Sequence, residues 1–142
     1  MLLDANLLLY AVDARSPFNA AASAWLGGLL NGDVRVGIPW QTIGAFVRIS
    51  THPRISERPL TGEQAWGYIE RWLEAAPVWI PAATEMTARR YGELAKLVSI
   101  TGNLATDGLL AALALEHGLE LLSADTDFAR FPGLRWRNPL MG

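Results

Sequence analysis

The sequence predicts an α/β fold: a three-layer α/β/α sandwich around a central parallel sheet of four or five strands. Three observations lead there. Short apolar runs alternate along the whole chain with stretches of helical spacing. Leu119, Leu121 and Leu122 give one short apolar run, long enough for a buried parallel strand. Acids stand just past two of these runs, where open parallel sheets place their sites.

The elements follow in order. Residues 1–6 read as a very short strand closing on Asp4, and Leu7 to Val12 continue apolar. Ser16-Pro17 is a helix start, Ser as cap and Pro at the first position, and the helix stops near Asn31-Gly32. Residues 34–38 are the second strand, ended by Pro39. Residues 40–50 return to helical spacing, with Ile43, Phe46, Val47 and Ser50 on one face. Residues 51–60 form a polar loop with two prolines, Arg54 and Arg58. Thr61 and Gln64 make a capping box for the next helix, which Pro77 ends. Residues 78–80 are the third strand, and a helix runs over 84–98.

Residues 103–131 form one α/β unit. Asn103 to Thr106 open a helix whose Leu109, Leu110, Leu113 and Ala114 face a core, and Asp107 lies in its first turn. Gly118 is its left-handed stop. The strand at 119–122 delivers Asp125, and residues 134–136 form a last, edge strand.

Composition bounds the function. A chain of 142 residues, 51% hydrophobic, fits one domain with one core, spanning residues 1–142. With a net charge of −2, only a local patch can grip a nucleic acid. Eleven of the twelve cationic residues are Arg, which suits bidentate phosphate contact and equally reflects codon bias. There is no Cys, hence no disulfide or thiol chemistry. No apolar segment approaches the ~20 residues of a membrane span. The N-terminal run carries Asp4 and no preceding positive charge, a poor signal peptide. The expectation is a soluble, cytoplasmic protein.

Asp4, Asp107 and Asp125 therefore converge on one sheet edge. Crowded carboxylates repel, and one would stay protonated unless a cation joins them. An oxygen-only ligand set favours Mg²⁺ or Mn²⁺ over Zn²⁺. Taken singly, Asp4 reads equally as a turn residue and Asp107 as a first-turn acid complementing the helix dipole. Together they point to a metal site. Asp127 reads mainly as a cap for the turn 128–130, and more weakly as a ligand. Asn6, Thr106 and Ser123 are placed to support the acids by hydrogen bonding. His117 reads as a partner of its helix's C-terminal dipole.

The ordered set Leu3-Asp4-Ala5-Asn6, Thr106-Asp107 and Ser123-Ala124-Asp125-Thr126-Asp127-Phe128 resembles the PIN domain. Within it the chain is similar to VapC-type toxins of toxin–antitoxin pairs. Arg48-Ile49-Ser50-Thr51 with Pro53-Arg54, and Phe131-Pro132 with Leu134-Arg135-Trp136, are like stretches of one VapC subgroup. The resemblance implies a PIN-like sandwich and a type II toxin acting as a Mg²⁺- or Mn²⁺-dependent endoribonuclease. It also implies catalytic and metal roles for Asp4, Asp107 and Asp125, a cognate VapB-type antitoxin, and a homodimer in many members. Trp136, read as exposed near an edge strand, fits such a dimer.

One departure stands out. PIN nucleases usually carry a Glu early in the helix after strand two. Here Gly44 or Ala45 holds that place, and no acid lies between Asp33 and Glu57. One Mg²⁺ needs only one or two carboxylates, whereas two metals would need help from Glu57 or Glu63. Arg48, Arg54, Arg58 and His52 are the candidates for RNA contact. The alternative reading is a PIN-fold module that binds RNA or antitoxin without cutting. A receiver-like phosphoacceptor fits less well, because the only Lys, Lys96, falls inside a helix.

Overall fold

The strands are very short, and their hydrogen bonding, not their length, defines the sheet. The computed structural model describes residues 1–141. In chain order the elements are β1 (Leu2–Leu3), α1 (Ala5–Val12), α2 (Asn19–Leu30), β2 (Val36–Gly37), α3 (Trp40–Ser50), α4 (Gly62–Glu74), β3 (Val78–Trp79), α5 (Glu85–Leu97), α6 (Asn103–His117), β4 (Leu121–Leu122) and β5 (Trp136–Arg137). A 3-10 turn at Thr126–Arg130 links the last two strands. The five strands lie in the order β3-β2-β1-β4-β5, and every neighbouring pair is parallel. Leu2 pairs with Leu121 and Leu3 with Leu122 in the centre.

Alternation along a strand explains the two cores. Leu3 and Leu122 point to one face, where they meet Leu7, Leu26, Phe46, Ile69 and other residues of α1 to α4. Leu2 and Leu121 point to the other, where they meet Leu94, Leu110, Leu113 and Phe128 from α5, α6 and the 3-10 turn. Two apolar layers against one sheet give the α/β/α sandwich. No helix among the described residues is long and apolar enough to cross a membrane.

Local chemistry sets the boundaries. The Thr61/Gln64 capping box starts α4, and Gly118, at φ 65°, ends α6 in the left-handed conformation. The helix after Ser16 begins two residues later than its Ser-Pro pair predicts. Ser16 Oγ accepts the Phe18 N–H and shapes the preceding turn, and the helix starts at Asn19. The segment after Asp4 is a helix at once, because Asp4 caps it. Leu109, expected inward, is exposed; Leu110, Leu113 and Ala114 carry the packing of α6.

Gly37 sits where three elements converge. A Cβ there would lie 2.7 Å from Pro81 Cγ, 3.2 Å from Leu2 Cδ1 and 3.2 Å from the Met1 carbonyl. The proline ring and the backbone have little freedom to yield. Gly37→Ala is expected to destabilise the protein by about 1–3 kcal/mol. In urea unfolding this appears as a lower midpoint at unchanged slope.

Candidate metal centre

Parallel strands all end at one edge, and this edge collects the acids. Asp4 follows β1 directly; its N–H donates to the Leu122 carbonyl at 3.0 Å. Ser123 follows β4, and Asp125 caps the 3-10 turn by accepting the Asp127 N–H at 2.9 Å. Asp107 arrives from α6. That helix opens at Asn103, after Gly102 at φ 57°, so Asp107 lies in its second turn and not its first. Two contacts from α5 hold this turn: Tyr91 Oη donates to the Ala105 carbonyl at 3.0 Å, and the Tyr91 ring lies over Gly108.

Asp107, Asp125 and Asp127 each offer a carboxylate oxygen, and these oxygens all lie within 4.8 Å of one another. Asp127, read mainly as a turn cap, is instead the third member of this group; the cap is Asp125. Asp4 stands behind the trio. Its Oδ1 accepts the Ala5 N–H at 2.7 Å, and its Oδ2 accepts Ser123 Oγ at 2.7 Å and Asn6 Nδ2 at 3.2 Å. Two carboxylate oxygens offer about four acceptor positions, so about one remains for a further partner.

The electrostatics show the crowding. Burial raises the Asp4 carboxyl above its ordinary value, its bonds to Ser123 and Ala5 oppose the rise, and Asp125 adds to it. Asp107 is pushed up to about 6, first by burial and then by Asp125, Asp4 and Asp127. The site thus gathers more negative charge than it can hold comfortably. A hard divalent cation fits this oxygen-only donor set.

The other predicted residues are distributed unevenly. Asn6 bridges the two strand ends, with Nδ2 on Asp4 and on Ser123 Oγ at 3.0 Å, and Oδ1 accepting the Ala124 N–H. Ser123 Oγ also accepts the Asp125 N–H at 3.0 Å. Thr106 turns away and bonds the Asn103 carbonyl. Arg48, Arg54 and Arg58 are exposed. His52 uses Nδ1 to accept the Arg54 N–H, and so shapes its own turn. His117 contacts the Ala82 carbonyl and the Trp79 ring edge. Trp136 is half-buried, its Nε1–H held by the Ser123 carbonyl at 3.1 Å, and is not the exposed edge aromatic that the sequence suggested.

The PIN domain family matches residues 1–134. The chain belongs to the PIN domain family. It is 41% identical over 141 residues to Ribonuclease VapC37 of Mycobacterium tuberculosis, covering 97% of this chain and 96% of that protein. It is 38% identical over 138 residues to Ribonuclease VapC33 of the same species, covering 96% of each. Among solved structures, VapBC2 from Rickettsia felis, bound to a DNA fragment from its promoter, aligns with a TM-score of 0.69 at 21% identity over 96% of each chain. VapC20 of Mycobacterium tuberculosis, a Sarcin-Ricin loop cleaving toxin, aligns at 0.62 and 12% identity, covering 94% of this chain and 98% of that one.

Against the PIN pattern, α3 contributes no acid. Ala45 is half-buried on that helix, Glu57 pairs with Arg15, and Glu63 sits in the first turn of α4. What α3 does contribute is Thr42, which sequence reasoning missed. It is buried, and its Oγ donates to the Leu3 carbonyl at 2.6 Å, one residue before Asp4. The available signal was a hydroxyl one turn before Phe46, at the site end of the inward stripe.

Asp107 also predicts a pH effect. Its folded pKa of about 6 lies above the ordinary 3.8. The native state therefore holds a proton that the unfolded chain has lost, and stability falls as pH rises through that window. Thermal unfolding in EDTA should show this decline, and Asp107→Asn should flatten it. The variant should also melt a few degrees higher than wild type at about pH 7.5, where the repulsion is complete.

Proposed function

We propose that this chain is the toxin of a type II toxin–antitoxin pair and acts as a metal-dependent endoribonuclease. One observation carries the reading: crowded carboxylates at the carboxyl edge of a PIN sheet, in a chain 41% identical over nearly its full length to a named ribonuclease. Asp107, Asp125 and Asp127 would hold a Mg²⁺ or Mn²⁺ ion, with Asp4 supplying its remaining lone pair. When bound, such an ion offsets charge on a scissile phosphate and lowers the pKa of a water.

The chain's own residues do the rest. Ser123 and Asn6 fix the orientation of Asp4. Asp107 makes no hydrogen bond among the described residues, so one of its oxygens would hold the ion and the other would orient an attacking water or take its proton. In-line attack leaves a 5′-phosphate and a 3′-hydroxyl. Arg48, Arg54 and Arg58, exposed on α3 and the loop after it, form the pool for gripping the RNA backbone.

The partner in this reading is a VapB-type antitoxin, as the VapBC complexes among the structural relatives suggest. It would direct a cationic side chain at the acids, the simplest substitute for the metal. The working state is a cytoplasmic homodimer. A module that binds without cutting is the lesser reading; the missing α3 acid is its only support.

Purified protein free of antitoxin should cleave total cellular RNA with Mg²⁺ or Mn²⁺ and stop in EDTA. Asp4→Asn, Asp107→Asn and Asp125→Asn should each reduce cleavage to background. Ala45→Glu, restoring the usual acid, should tighten metal binding. Cleavage that persists in EDTA, or that survives loss of both Asp4 and Asp107, rules the mechanism out.

A further inference from the structure

A second feature shares the acid edge. Between α1, the start of α2 and the residues after β5 lies a cavity of about 570 Å³. This is within the range of ligand sites, about 300–1,000 Å³. Three aromatic rings line it. Tyr10 and Phe18 pack against each other with centroids 5.0 Å apart. Phe18 is 46% exposed, a large apolar ring left open to the cavity mouth. Trp136 supplies the third ring, pinned by its bond to the Ser123 carbonyl.

The cavity and the acids are linked through the residues between them. Thr126 lines the cavity and lies between Asp125 and Asp127. Ser123 joins the two sites, its hydroxyl on Asp4 and its carbonyl on Trp136. The lining also offers polar groups. Asn138 Oδ1 accepts the Leu140 N–H, which leaves its amide N–H groups available, and the Tyr10 hydroxyl makes no hydrogen bond among the described residues.

We propose that this cavity is a nucleobase subsite, taking a base of the RNA strand next to the phosphate held at the acids. The proposal rests on the ribonuclease reading and deepens it. A base has two apolar faces and a polar edge, which matches aromatic walls with a few donors between them. Proteins read single-stranded RNA by stacking unpaired bases on aromatic side chains. A chain of net charge −2, with acids at its centre, cannot rely on phosphate attraction alone. Stacking beside the acids supplies affinity without charge and sets the register of the scissile bond.

The test measures binding of the full chain, free of antitoxin, to short single-stranded RNA oligonucleotides by fluorescence anisotropy with Ca²⁺ present. Each oligonucleotide has one nucleotide made abasic in turn. Wild type should lose about tenfold in affinity when one particular base is missing, the size of a single base–aromatic stack. Phe18→Ala should bind intact RNA about tenfold more weakly and lose nothing further with that base removed. Its circular dichroism and its binding to a VapB-type antitoxin should match wild type. If Phe18→Ala leaves RNA affinity unchanged, or if its loss adds to that of the abasic position, the subsite is refuted. Unchanged RNA binding with lost antitoxin binding would assign the cavity to the antitoxin instead. RNA that is bound with the expected base dependence yet never cut with Mg²⁺ would keep the subsite and overturn the ribonuclease reading. Cleavage without any base dependence would do the reverse, and no RNA binding at all would overturn both.

Discussion

The structure turns on one buried hydroxyl. Ser123 Oγ donates to Asp4 Oδ2 and accepts from Asn6 Nδ2 and the Asp125 N–H. A hydroxyl has one donor and two acceptor positions, and here all three are used. These bonds tie the end of β1 to the end of β4 and start the turn that carries Asp125 and Asp127. The same residue's carbonyl holds Trp136 on the edge strand. Ser123 is fully buried, so each bond acts away from competing water.

That clamp is needed because the edge is electrostatically unfavourable. Four carboxylates face one region, and burial and mutual repulsion hold Asp107 near 6. Thr42, from α3, secures the Leu3 carbonyl just before Asp4, and Tyr91, from α5, secures the first turn of α6 before Asp107. Helices on both faces of the sheet therefore brace the site. Rigid bracing of like charges opposes folding in the absence of a cation and prepares a site in its presence. Functional sites are where such local conflict is expected.

The sequence made the scaffold legible because its signals are local. Helix α3 follows its 3.6-residue periodicity over residues 40–50, and α4 starts at its capping box. The Asp after β1 and the Asp after β4 follow from strand ends alone. The parts that stayed hidden depend on non-local geometry. Asp127 joins the acid trio only because Asp125 takes over the capping of the turn. Thr42 meets Leu3 across 39 residues of chain, and Ser123 meets Asp4 across 119. Trp136 reads as an exposed edge aromatic until its indole is seen to bond the Ser123 carbonyl. The aromatic cavity draws its walls from α1, the start of α2 and β5, which no sequence window contains together.

An uncharged serine would thus organise the proposed cation site made by its neighbours. Direct Mn²⁺ binding to wild type and Ser123→Ala, followed by electron paramagnetic resonance at neutral pH, tests it. Wild type should bind Mn²⁺, and Ser123→Ala, with every carboxylate retained, should bind it about 10–100-fold more weakly, as loss of a supporting hydrogen bond does at metal sites. Wild type that takes up no Mn²⁺, or a Ser123→Ala protein that binds it as tightly as wild type, would contradict it.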